Sequence, residues 1–414
     1  MKKRLLAGVL SVMMAGMLTA CGGSGTPATQ PDNTNAAPVD VALTVWSPQE
    51  DQDAANGNWL DKECKAFAAA HPEWNITFTY GVCSEGDAKT QMSTDAAAGA
   101  DVYMFANDQI PDLISFGALA ELGGSTLEQV KKDNSQTMID TVSYDGGVYG
   151  LPFTGNTWFM YYDKSVYSED DIKSLEKMVE KGTVAFPLSN SWYIASFYVA
   201  NGCTLFGENG GDASKGIDFS GDKAVQVTDY LVDLMANPHF INDANGVGMA
   251  GLGDGSVSAI FSGSWDYNNV KEALGDNMGI AALPTVTING KECQLKSFAG
   301  SKAVGVNANS KNMQQAVALA AFLASEQAQK DHYDLRNIIP ACATVDVGDD
   351  ILSKAQSDTL SRTSTMQPLL AEMGNYWGPA QSMGEEIVAG SVNHSNAAEK
   401  TEAMNTAMNT SVVQ

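Results

Sequence analysis

The sequence predicts an α/β fold with a mostly parallel sheet covered by helices, on three observations. The 414-residue chain is 44% hydrophobic and 18% charged, a globular composition. Short apolar, β-branched runs alternate along it with longer stretches of helical period. A β–α–β–α–β series is complete between Val41 and Phe105, and such a series argues for parallel strands joined by helical crossovers. At roughly 150 residues per domain the length predicts two domains, possibly three. No repeat of a period suited to solenoids or propellers is visible.

Taken in order, Val41 to Trp46 is apolar and suits a buried strand. Asn58 to Trp74 places Trp59, Leu60, Cys64 and Phe67 near helical spacing, and His71-Pro72 ends the helix. This reading leaves Trp59 and Trp74 as packing residues of that first helix. Asn75 to Tyr80 alternates as a strand does. Asp87 to Ala98 is Ala-rich and helical, Gly99 stops it, and Asp101 to Phe105 is again a strand. Further on, strands are predicted at 147–151, 157–162, 256–261 and 279–283, and helices at 222–236 and 313–324. The glycines at 248, 251, 253 and 255 lack a following Lys-Ser/Thr and precede a strand, so they read as a turn and not a phosphate loop.

The N-terminus reads as an address. Lys2-Lys3-Arg4 precedes an apolar run from Leu5 to Leu18, which is a secretory signal too short for a working membrane span. Its end, Leu18-Thr19-Ala20-Cys21, resembles a bacterial lipobox, which implies cleavage after residue 20 and a lipid on Cys21. Residues 21–40, rich in Gly, Ser, Thr, Pro and Asn, then read as a flexible tether.

Forty-nine acidic residues against 24 basic ones give a net charge of −25, and loss of Lys2, Lys3 and Arg4 with the signal takes it to −28. A surface that negative repels phosphate backbones, which excludes nucleic acid as a partner. Neutral or cationic ligands remain. Cys64, Cys83, Cys203, Cys293 and Cys342 show neither a CxxC pair nor histidines at metal spacing, so they read as buried small hydrophobes. The four histidines are far apart in sequence, and neither a metal site nor a cofactor is predicted.

Ligands of open α/β sheets bind beyond the carboxyl ends of the strands. Those ends carry Trp46 with Glu50 and Asp51, and Phe105 with Asn107 and Asp108. Asn156 with Trp158, Asn190 with Trp192 and Tyr193, and Trp265 follow, with Trp377 in the C-terminal part. Each pairs an aromatic ring with an amide, carboxylate or hydroxyl, the combination that suits sugars: rings stack on C–H faces while planar polar groups bind hydroxyls. A single large aromatic is more often core than contact. What favours a site is that five of the seven tryptophans fall at such junctions.

Ala259 to Trp265 followed by Gly279 to Pro284 resembles the small-residue strand, Gly-x-Trp and Leu-Pro signature of the solute-binding proteins of carbohydrate ABC transporters, specifically the maltose/maltodextrin-binding group. Gly117 to Glu121, Gly146 to Pro152, Tyr162-Asp163-Lys164 and Tyr376-Trp377 support the resemblance. It implies a two-lobed, periplasmic-binding-protein-like (type II) fold with crossing hinge strands. Lobe one would be 41–152 plus 299–345 and lobe two 153–298 plus 346–414.

By the same resemblance Trp265 and Trp377 stand at stacking positions, with Trp192 where the family has a stacking tyrosine. Phe105 stands where the family has a tryptophan, and Asp108 where it has a hydroxyl-binding aspartate. Glu50 and Asp51 fall at a pair that grips one glucose, Asn156 and Asn190 where glutamates are frequent, and Gln381 where an arginine stands. The implied function is a lipid-anchored, monomeric receptor on the outer face of the cell membrane that delivers maltose or maltodextrin-type oligosaccharides to a permease. A receptor for a different oligosaccharide is the alternative. A secreted glycoside hydrolase, which needs two carboxylates across the scissile bond, is disfavoured by the amides at 156 and 190.

Overall fold

The computed structural model describes residues 38–410. The signal peptide, Cys21 and nearly all of the predicted tether lie outside the described residues. Eleven strands carry the architecture: β1 (Val39–Ser47), β2 (Trp74–Val82), β3 (Val102–Ala106), β4 (Leu151–Asn156), β5 (Phe159–Asp163), β6 (Val184–Phe186), β7 (Phe240–Asn242), β8 (Ala259–Ser262), β9 (Met278–Ala281), β10 (Ser297–Val306) and β11 (Ser364–Met366). They form two separate sheets.

The first sheet runs β11-β10-β3-β1-β2, with β4 also paired to β10. β1 is parallel to β2 and β3, as the β–α–β series predicts, while β10 runs antiparallel to β3 and β4. Its core gathers Leu43, Val45, Trp59, Phe67, Met104 and Val304, all essentially removed from water. The second sheet runs β7-β6-β8-β5-β9, parallel from β7 to β8 and antiparallel around β5. Its core holds Trp158, Phe186, Phe197, Phe261 and Tyr376. Each such side chain contributes roughly 1.5–3 kcal/mol by leaving water, so each sheet with its helices is an independently packed lobe.

Three of the segments that pass between the lobes lie together: from β4 to β5, into β10, and out of β11 toward the helix Gly374–Val388. Buried hydroxyls tie these crossings together. Thr157 Oγ1 lies 2.7 Å from Ser297 Oγ, and the Ser297 main-chain N–H donates to the Thr363 carbonyl at 3.0 Å. A hydroxyl removed from water must find a partner, and here the partner is always another crossing strand.

Three local expectations are corrected. The glycines at 248, 251 and 253 sit in a helix, Val247–Asp254, and not in a turn. Asp243 accepts from the Gly248 N–H at 2.8 Å, and a Cβ at Gly251 would collide with Val257. These two glycines thus allow close packing rather than unusual backbone angles. The Ala-rich helix stops at Thr94 because Asp95 accepts from the N–H groups of Ala97 and Ala98 and starts a new 3₁₀ turn. The first long helix is Trp59–Ala70, so Trp74 opens β2 and stacks on His71 instead of riding the helix.

Candidate functional site

A cavity of about 100 Å³ lies where the lobes face each other. The first lobe lines it with Glu50, Glu85, Lys302, His332, Arg336 and Asn156 at the end of β4, and the second with Ser264 and Trp265. Ligand pockets usually measure 300–1,000 Å³, so a sugar needs the lobes to part before it enters.

The first-lobe wall is built on ion pairs. Asp51 is 1% exposed, and His332 Nε2 lies 2.7 Å from its Oδ1, with Arg336 bonded to the same oxygen. Burial alone would raise the Asp51 carboxyl, but His332 and Arg336 outweigh it and hold the pKa below the ordinary carboxylate value. The His332 ring is wedged between Trp59 and Phe153, each at 4.8 Å. Asp51 therefore anchors the helix Glu326–Arg336 and leaves Glu50 as the half of the acidic pair that reaches the cavity. Across from it Lys302 pairs with Glu85 at 3.3 Å.

The second-lobe wall is aromatic. Trp265 is 42% exposed, and its ring lies over Gly263, where any Cβ would collide with it. This is the physical reason for a glycine two residues before the tryptophan. Trp192 lies 6.0 Å from Trp265 with the planes 35° apart. Asn190 caps the helix Ser191–Ala200 beneath them by accepting from the Trp192 N–H at 2.9 Å. Trp192 Nε1 donates to Gln367 Oε1 at 3.0 Å.

Asp108 is exposed at its surface yet crowded by protein, which marks a concave position. Its surroundings strip water from the carboxyl and raise its pKa. Tyr193 lies beneath the platform, its hydroxyl beside Ser262 and its ring stacked on Trp158 at 4.8 Å.

Several singled-out residues sit away from the cavity. Trp158 and Phe105 are fully buried, the first in the second lobe's core and the second against Tyr103. Asn107 has both ends of its amide occupied, donating to the Thr141 carbonyl and accepting from the Ser301 N–H, so it braces β10. Trp46 is half-buried against Gly81, and Trp377 packs edge-on to Phe298. Gln381 is exposed and donates to Glu385 on its own helix.

Glu85, Lys302, His332, Arg336 and Gln367 escaped the sequence reading. Two signals were available: a lysine inside the otherwise uncharged strand Ser297–Val306, and His332 and Arg336 one helical turn apart.

Residues 62–359 match the bacterial extracellular solute-binding protein family. The chain belongs to that family. It is therefore a binding protein rather than an enzyme. A maltooligosaccharide ABC transporter solute-binding lipoprotein of Streptococcus pneumoniae (strain ATCC BAA-255 / R6) is 27% identical over 94% of this chain and 93% of its own length. A galactooligosaccharide-binding protein of Bacillus subtilis (strain 168) is 28% identical over 86% and 91%. A protein solved with acarbose superposes with a TM-score of 0.86 at 52% identity, covering 89% of this chain and 98% of its own. The fold is the two-lobed type II periplasmic-binding-protein fold.

Proposed function

We propose that the chain is a lipid-anchored receptor that closes on maltose or maltodextrin-type oligosaccharides and presents them to an ABC transporter permease. The observation that carries the reading is the paired platform of Trp192 and Trp265, set opposite carboxylates and amides at a lobe junction. Glucose units stack their C–H faces on such rings, while Glu50, Asn156 and Asp108 serve the hydroxyls. A few contacts of about 1 kcal/mol each, with polar bonds sealed from water, bring affinity to the micromolar range near −8 kcal/mol. The names of the relatives support an α-glucan ligand and a lipoprotein.

The cycle is hinge closure with population shift: the sugar bonds both walls only when the lobes meet, so it favours the closed form by its differential affinity. The lobe boundaries, near residue 298 and, since β4 stays in the first sheet through Asn156, a few residues beyond 152, belong to this reading as proposals, as do Trp46, Tyr193, Trp377 and Gln381 as outlying contacts. So do lipidation at Cys21, a position on the outer face of the cell membrane and a monomeric state. The tether would raise the receptor's effective concentration at the permease.

A galacto-oligosaccharide ligand is the second reading, favoured by the Bacillus subtilis relative's name. A tryptophan-fluorescence titration with maltose, maltotriose, longer maltodextrins, cellobiose and galacto-oligosaccharides separates the two. Saturation in the micromolar range by the α-1,4 series alone is expected. Saturation by the galacto-oligosaccharides alone would replace the ligand and keep the receptor.

A further inference from the structure

Gln367 stands at the third lobe crossing, directly after β11, and is only 4% exposed. Its main-chain N–H donates to the Ala299 carbonyl of β10 at 3.0 Å, which seats the residue in the hinge. Its side chain reaches from there to the second lobe: Oε1 accepts from Trp192 Nε1 at 3.0 Å, on the helix Ser191–Ala200.

The amide's orientation follows from chemistry: an indole N–H can only donate, so it takes the amide oxygen.

We propose that Gln367 is a positioning residue that straps Trp192 to β10 at the hinge, setting the stacking ring when the lobes close. The proposal rests on the sugar-cleft reading above. The main-chain bond holds Gln367 on β10 of the first sheet while the side-chain bond holds the second-lobe ring, so that bond depends on how the lobes meet. The strap thus makes the orientation of the aromatic platform depend on closure.

The test is a double-mutant cycle on the intact protein, with maltotriose binding followed by titration calorimetry. Gln367→Met keeps the length and packing but removes the bond to the indole, and Trp192→Phe removes the N–H that the strap holds. Gln367→Met is expected to weaken binding about fivefold to tenfold in the wild-type background, the scale of one net hydrogen bond, and less than about twofold in the Trp192→Phe background. The Trp192 indole N–H resonance in a ¹H–¹⁵N spectrum is expected to move in Gln367→Met even without sugar.

Unchanged affinity in Gln367→Met, or the same loss in both backgrounds, overturns the strap while leaving the receptor reading intact. If Gln367→Met melts far below the wild type, Gln367→Asn, one methylene too short to bridge, replaces it in the cycle with the same two outcomes. A wild-type protein that binds none of the oligosaccharides overturns the sugar reading, and the strap falls with it.

Discussion

The two walls of the cleft are built from different physics. The first lobe presents charge already neutralised within the lobe: Asp51 with His332 and Arg336, and Glu85 with Lys302. The second presents aromatic surface, Trp192 and Trp265, held on a capped helix and a glycine shelf. A prebuilt ion-pair network is rigid, and its loss harms the fold. A half-exposed ring contributes little to the fold, and its loss harms the ligand. Substitutions in the two walls should therefore separate stability from affinity.

The largest effect is expected at Asp51. Asp51→Asn strands the Arg336 guanidinium and takes the carboxylate partner from the buried His332 ring, and should cost about 3 kcal/mol of stability by denaturant unfolding. Because the folded pKa is depressed, the wild-type contribution is full above the unfolded value of about 3.9 and is lost as pH falls through the folded one. The variant should therefore lose the share of the acid-side drop below about pH 4 that Asp51 contributes, giving a shallower drop than the wild type.

Next, Trp265→Ala should weaken sugar binding by about 2 kcal/mol, roughly thirtyfold, with the melting temperature almost unchanged. A large loss of stability here would erase the contrast between the walls.

Glu63 sharpens the contrast within the first lobe. It is buried on the helix Trp59–Ala70, and burial first, then the neighbouring carboxyl of Asp331, raise its pKa to about 7. A raised carboxyl is harmless below the unfolded value near 4.3, and its cost grows until the pH passes 7. Glu63→Gln should thus stabilise the protein at pH 8 by on the order of 1–2 kcal/mol and leave it unchanged at pH 4. The smallest effect is expected at Gln381: Gln381→Ala, which breaks an exposed bond to Glu385 and at most an outlying contact, should change affinity by less than about 0.5 kcal/mol.

Much of the fold was legible because it rests on local patterns. The apolar runs of β1 and β3, the periodic helix from Trp59 and the Ala-rich helix from Met313 each carry their own signal. The helix at Val247–Asp254 was not legible, because its glycines serve tertiary approach to Val257 and Asp243 and mimic a turn in sequence. The aromatic wall could be read from where its tryptophans stand relative to strand ends. That rule also admitted Trp158, whose ring turns into the core, since sequence position does not say which way a side chain points. The ion-pair wall was hidden for a different reason. Asp51 and Arg336 are 285 residues apart, and only folding brings them together.

Binding of an α-1,4-linked glucan through the aromatic wall is open to titration calorimetry of maltotriose into the wild type and Trp265→Ala, at one pH and salt. Micromolar binding to the wild type and a loss of roughly thirtyfold in the variant are expected, with both proteins equally folded. Equal affinity in the two proteins, or no heat from maltotriose with either, would contradict it.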